Sequence, residues 1–92
     1  LEVSSTNEIL RIACAEVFEQ WIDGATAYFT FAGIPLARAR ELAFAMLSLL
    51  EGAFIFSRAM RTTEPMASAG NAAVEAVRRA LEEVEPDAAP AA

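Results

Sequence analysis

The stretch LAFAMLSLLEGAFIFS, residues 42–57, decides the fold of this chain. Glu51 is its only charged residue, and apolar side chains occur on nearly every side of a helix drawn through it. A helix that is apolar almost all round has to be covered by neighbours on several sides. The stretch therefore predicts the central helix of an all-α protein.

This central helix is predicted to span Pro35–Arg61, with the proline at position N1. The backbone N–H at N1 makes no hydrogen bond within a helix, so its absence in proline costs nothing. Gly52 lies in the helix interior, where glycine costs about 1 kcal/mol relative to alanine. We expect that cost to be offset by the close approach of a neighbouring backbone. Arg40, Glu51 and Arg58 share one stripe, which is predicted to be the most solvated line of the helix.

A first helix is predicted over Thr6–Ala32. Ser5 is the expected N-cap and Glu8 completes a capping box, while Gly33 is the expected C′ residue. Asp23-Gly24 could form a turn, but the pattern of two faces keeps its phase across the pair and favours a continuous helix. The apolar face consists of Leu10, Cys14, Val17, Phe18, Trp21, Ala25, Tyr28, Phe29 and Ala32.

A third helix is predicted over Glu64–Val84, with Thr63 as its cap and a favourable i,i+4 pair between Glu75 and Arg79. Residues 85–92 are rich in proline and alanine and are expected to be disordered. The apolar stripe of the third helix is made mostly of small side chains, which suit a closely packed partner helix: Met66, Ala69, Gly70, Ala73, Val74, Val77, Ala80, Leu81 and Val84.

The composition predicts one domain with a partner. The chain has 92 residues, of which 55% are hydrophobic. A domain of this size leaves roughly 40% of its unfolded surface exposed, which is too much to hide that apolar content. The surplus predicts a surface that contacts another copy or the rest of a longer chain.

Charge and targeting features restrict the possible partners. The net charge is −6 and the chain contains no lysine, which argues against contact with nucleic acid or with an anionic membrane. The longest apolar stretch is shorter than the ~20 residues that cross a bilayer, and no signal peptide is apparent. A single cysteine cannot form an internal disulfide, so a cytoplasmic protein without membrane contact is expected.

Groups for catalysis or metal binding are scarce. The chain contains no histidine, which removes the usual nucleophile–base pairs and most zinc sites. Cys14 is predicted to be a buried, inert thiol. Glu16, Glu19 and Asp23 share a helical face and could hold a metal, but a solvated face explains them better. We therefore expect no enzymatic activity, no cofactor and no metal.

Two features leave alternatives open. Glu51 is predicted either to pair with Arg40 or Arg58 or to be a polar anchor at the edge of a cavity. The aromatic side chains of the first two helices form either a plain core or a cavity for an apolar small molecule. In a cavity, the Trp21 N–H and the Tyr28 O–H would supply orienting polar groups.

Three stretches together resemble the C-terminal region of TetR-family transcriptional regulators, most closely the LmrA/YxaF-like branch. They are Phe18-Glu19-Gln20-Trp21, then Ala32-Gly33-Ile34-Pro35 followed by residues 37–43, and Leu49-Leu50-Glu51-Gly52-Ala53 followed by Ser57-Arg58-Ala59 and Thr63-Glu64-Pro65-Met66. The resemblance extends over about residues 1–84. It implies an antiparallel three-helix arrangement that dimerises through a four-helix bundle made by the last two helices of each subunit.

The resemblance also implies a function. The chain would be the C-terminal region of a repressor whose N-terminal helix-turn-helix domain, which binds operator DNA, is missing here. A small hydrophobic effector would bind between the helices, at Phe18, Trp21, Phe29, Phe44 and Leu47. The homodimer interface would contain Leu49, Phe56, Met66, Ala69, Gly70, Ala73 and Val77. The alternative is a helical dimerisation module that binds no ligand.

Overall fold

The computed structural model describes residues 3–84, with side chains from Thr6 onward, as three α-helices. Helix α1 spans Val3–Phe31, α2 spans Leu36–Met60 and α3 spans Glu64–Glu82. The described residues include no strand, so the prediction of an all-α protein with three helices is confirmed. The tail predicted to be disordered, residues 85–92, lies outside the described residues.

The start of α1 differs from the prediction. The helix begins at Val3, so Ser5 lies inside it and the predicted capping box is wrong. No helix-breaking residue separates Val3 from Ser5, and the helix therefore continues through this segment. Glu8 instead forms an ion pair with Arg11, one turn further along the exposed surface, which holds the pKa of the Glu8 carboxyl below its usual value.

The end of α1 is a Schellman motif centred on Gly33, which adopts a φ of 101°. The Ile34 N–H donates to the Phe29 carbonyl at 3.1 Å, and the Gly33 N–H donates to the Thr30 carbonyl at 3.0 Å. Ile34 and Phe29 are buried together in the core. The prediction for Gly33 is confirmed, whereas Pro35 lies at the N-cap of α2 and not at N1.

The turn between α2 and α3 relies on a residue that is not glycine. Arg61 adopts the left-handed conformation, with φ 53° and ψ 49°, and closes the last turn of α2. Thr63 occupies the N-cap of α3, but its side chain makes no capping hydrogen bond. The Glu64 N–H instead donates to the Thr62 hydroxyl at 3.2 Å.

The three helices form a thin antiparallel layer with α2 in the middle. Arg38 near the start of α2 pairs with Glu83 just beyond α3, and Arg40 pairs with Asp23 of α1, which fixes both antiparallel directions. The molecule is 17 Å thick, which is less than two helix diameters. Its radius of gyration is 16.7 Å, against about 12 Å for a compact domain of this length.

A narrow core lies along α2, where residues of α1 pack on one side and residues of α3 on the other. Its buried members are Ile22, Phe29, Ile34, Ala39, Leu42, Ala43 and Ala80. The alanines allow the helices to approach each other, and Ala69 and Ala73 of α3 are buried in the same subunit. Gly52 does not serve this purpose, because a Cβ built at Gly52 would meet no atom within 4 Å. The predicted close approach of a backbone at Gly52 is therefore wrong within the subunit.

The first half of α1 projects away from the core. Every residue from Asn7 to Trp21 is exposed, and burial begins at Ile22. Cys14 lies in the projecting half and is exposed, so the prediction of a buried thiol is wrong. The amphipathic pattern of α1 defined an apolar face, but α2 covers only the C-terminal part of that face.

Helix α2 is long and apolar enough to cross a membrane when judged by length and composition alone. The helix meets this criterion because it extends beyond the apolar stretch at residues 42–57, which by itself is shorter than a membrane span. Such a helix is weak evidence for a membrane span, since central helices of soluble proteins meet the same criterion. Helix α2 lies between the other two helices, but only 17% of its apolar window is buried within the subunit.

Candidate functional site

A cavity of about 250 Å³ lies between α1 and α2, next to the point where the projecting half of α1 begins. Its wall is almost entirely apolar. The lining side chains are Phe18, Trp21 and Ile22 from α1 and Phe44, Leu47, Ser48 and Glu51 from α2. A concave apolar surface with a few polar groups is typical of a small-molecule site.

Helical periodicity explains why these residues converge. The three residues from α1 have the spacing i, i+3, i+4, and the four from α2 have the spacing i, i+3, i+4, i+7. Residues at these spacings share one face of a helix, so each helix contributes one continuous stripe to the wall. The antiparallel pairing of α1 and α2 places the two stripes opposite each other.

Aromatic rings form much of the wall. The Phe18 and Trp21 rings pack edge to face, with centroids 5.5 Å apart and an interplanar angle of 66°. Phe18, Trp21 and Phe44 each keep about half of their surface exposed. The cavity is therefore open to solvent.

Arg40 fixes one end of the cavity by joining the two helices. Its guanidinium lies 3.2 Å from a Glu19 carboxylate oxygen and 3.3 Å from an Asp23 carboxylate oxygen, both on α1. The same guanidinium lies over the ring of Phe44, 5.1 Å from the centroid. Glu19 and Asp23 are thus bound to Arg40, and residues 3–84 contain no group of side chains arranged to hold a metal.

Glu51 is the only ionisable residue that lines the cavity, and its side chain is exposed to solvent. Within the described part of the chain it forms no ion pair, because Arg40 is bound to α1 and Arg58 lies over the Phe54 ring at 5.7 Å. The predicted pairing of Glu51 with Arg40 or Arg58 is therefore wrong. The structure places Glu51 in the cavity lining, where the second alternative expected it.

The predicted pocket residues divide into two groups. Phe18, Trp21, Phe44 and Leu47 line the cavity together. Phe29 lies in the core instead, because the Schellman motif folds Ile34 back onto it. Tyr28 is largely exposed and does not belong to the lining, so its hydroxyl supplies no polar group there.

The sequence prediction did not include Ile22 or Ser48 among the pocket residues. Both lie one helical turn from a predicted residue, at i+4 from Phe18 and from Phe44 respectively. Extending each predicted stripe by one turn would have found them.

The predicted interface residues occupy different environments. Leu49 and Phe56 are exposed on α2, while Met66 and Gly70 are half-buried. Ala69 and Ala73 are buried within the subunit, and Val77 packs against its core. The small-residue stripe of α3 therefore faces into its own subunit over much of its length.

The fold and the cavity together define an all-α helical region with an apolar site between α1 and α2. A comparison with protein-family models matches residues 1–72 to the C-terminal domain of LmrA/YxaF-like transcriptional regulators. The chain belongs to this family, which is a branch of the TetR regulators and a class of transcription regulators, not of enzymes. Searches among curated proteins and among solved structures gave no significant match.

Proposed function

We propose that this chain is the effector-binding and dimerisation region of a TetR-type repressor. The cavity between α1 and α2 is the observation that carries the proposal, since its lining is continuous, largely apolar and open to solvent. A small hydrophobic effector would bind there. Operator DNA would be bound by the helix-turn-helix domain of the whole regulator, which works in the cytoplasm as TetR regulators generally do.

Exposed apolar surface supports homodimerisation. The large apolar side chains left exposed on α2 include Leu36, Phe44, Leu49, Leu50, Phe54, Ile55, Phe56 and Met60. A layer only 17 Å thick has no interior in which to bury them. A stable homodimer typically buries about 2,000 Å² or more, and contact with a second copy would remove much of this surface from water.

The mechanism follows from the position of the cavity. A ligand between α1 and α2 contacts both helices, so its affinity depends on their relative arrangement. It favours the arrangement that it binds more tightly, and it shifts the equilibrium by no more than that difference in affinity. In a dimer built on α2, the shift would change the spacing of the two DNA-binding domains.

Ligand binding can be tested with N-phenyl-1-naphthylamine, a neutral apolar fluorophore. Trp21 is the only tryptophan in the chain and lines the cavity, so we expect energy transfer from Trp21 to the bound fluorophore. Ser48→Phe should obstruct the cavity and abolish the signal. Ser68→Phe places the same ring at an exposed position on α3 and should leave binding intact.

Dimerisation can be tested by sedimentation equilibrium. Phe56→Glu changes an exposed α2 side chain and should convert the dimer to monomer, whereas Phe31→Glu alters a still more exposed ring at the end of α1 and should not. Ala73 is unsuitable for this test, because a glutamate at a buried position would unfold the subunit. A monomer at every concentration would refute the dimer. A dimer without fluorophore binding would favour the ligand-free dimerisation module.

A further inference from the structure

We infer that the cavity between α1 and α2 selects apolar cations, such as an aromatic or aliphatic amine carrying a quaternary or protonated ammonium group. The inference rests on the proposed function of this cavity as an effector site and specifies the chemical class of the effector. Its basis is the combination of aromatic rings, one carboxylate without a cationic partner, and a neutralised neighbouring arginine.

The aromatic side chains of the cavity wall attract cations. Phe18, Trp21 and Phe44 belong to one wall and remain half-exposed. The face of an aromatic ring carries negative charge density, and tryptophan attracts cations most strongly. Aromatic surfaces of this kind bind quaternary ammonium groups better than they bind anions.

Glu51 supplies a negative charge to the lining. It is the only ionisable side chain in the lining and forms no ion pair among the described residues. An ammonium group in the cavity would lie near this carboxylate with apolar walls around it. Glu51 is itself exposed, so water screens part of this attraction and added salt weakens it further.

The arginines near the cavity offer little positive charge to an anionic ligand. Arg40 lies over Phe44, but its charge is matched by the carboxylates of Glu19 and Asp23, so it offers no free positive charge to an anionic ligand. Arg58 is two helical turns from Glu51, about 10 Å along the axis, and lies over Phe54. The charge balance around the cavity is therefore negative.

The experiment compares three ligands of similar size: phenyltrimethylammonium, its neutral isostere tert-butylbenzene, and benzenesulfonate. Binding to the full 92-residue chain is followed by Trp21 fluorescence and by ligand-observed NMR. We expect phenyltrimethylammonium to bind at least about tenfold more tightly than benzenesulfonate, a ratio that corresponds to 1.4 kcal/mol. The preference should shrink in high salt.

A pair of charge-matched variants locates the effect. Glu51→Gln should weaken phenyltrimethylammonium binding about five- to tenfold and leave tert-butylbenzene binding within twofold. Glu82→Gln removes the same charge from an exposed position on α3 and should change neither ligand. Circular dichroism melting curves establish that both variants fold.

Failure of the inference differs from failure of the proposed function. If tert-butylbenzene binds and Glu51→Gln weakens both ligands equally or neither, the inferred cation selectivity is wrong and the effector site stands. If Glu82→Gln weakens the cation as much as Glu51→Gln, the preference reflects the overall negative charge, and the inference is also wrong. If none of the three ligands binds, both the effector site and the inference fail.

Discussion

The guanidinium of Arg40 lies 5.1 Å from the ring centroid of Phe44, one turn further along α2, while two of its nitrogens face carboxylates on α1. One side chain thus holds a ring of the cavity wall and joins the two helices that form the cavity. The relative position of α1 and α2 at this end of the site depends on a polar contact as well as on core packing.

Arg40→Met should lower the free energy of unfolding by about 1 kcal/mol. The methionine retains part of the aliphatic stem but loses the ion pairs with Glu19 and Asp23 and the contact with the Phe44 ring. Chemical denaturation at low and high salt measures the effect, which should decrease as the salt concentration rises.

Arg58→Met is the matched control, because Arg58 lies over Phe54 and has no carboxylate partner among the described residues. We expect it to lower the free energy of unfolding by less than about 0.5 kcal/mol. Equal losses in the two variants would show that the ion pairs to α1 contribute nothing measurable.

Gly33→Ala should destabilise the chain by about 1–2 kcal/mol, because a φ of 101° is strained for any residue with a Cβ. The opposite effect is expected when glycine is introduced at Arg61, because Arg61 adopts a left-handed conformation with φ 53°. Arg61→Gly should stabilise the chain by about 1 kcal/mol. Thermal and urea unfolding measures whether each variant raises or lowers the free energy of unfolding. A stabilising Gly33→Ala would contradict the Schellman geometry.

Gly52→Ala should raise the free energy of unfolding of the subunit by about 0.5–1 kcal/mol. The position is inside a helix and a new methyl group meets no atom within 4 Å, so only the favourable change in helix propensity remains. Gly24→Ala, at a similarly open position in α1, should give a similar gain. Urea unfolding at several protein concentrations measures both, and a loss confined to Gly52→Ala would mean that a second copy approaches this glycine.

The local features of the fold could be predicted because they depend on neighbouring residues. Gly33, Pro35 and Pro65 mark where helices end or begin. The predicted boundaries therefore agree with the observed ones within a few residues. The i,i+4 pair of Glu75 and Arg79 is present for the same reason, at 3.5 Å. The start of α1 was missed because a capping signal is weaker than the tendency of a helix to continue through residues that favour it.

The candidate site could be predicted only in part. Phe18, Trp21, Phe44 and Leu47 line one cavity because helical phase places them on the facing stripes of two neighbouring helices, and their contact with a ligand stays a prediction. The partners of Arg40 could not be found in this way, because they lie on another helix and depend on its register. Phe29 and Tyr28 were assigned to the wrong environment for a related reason, since phase does not show where along a helix its neighbour ends.

Residue spacing alone predicts three helices, their approximate limits and the apolar stripe of each, because it fixes the direction of every side chain around the helix axis. Which of these stripes are covered depends on contacts between helices. Cys14 is exposed because α2 leaves the first half of α1 uncovered, and Ala69 and Ala73 are buried within their own subunit. The physical reason is that coverage depends on the distance, register and divergence of neighbouring helices, and these follow from contacts between residues far apart in the chain.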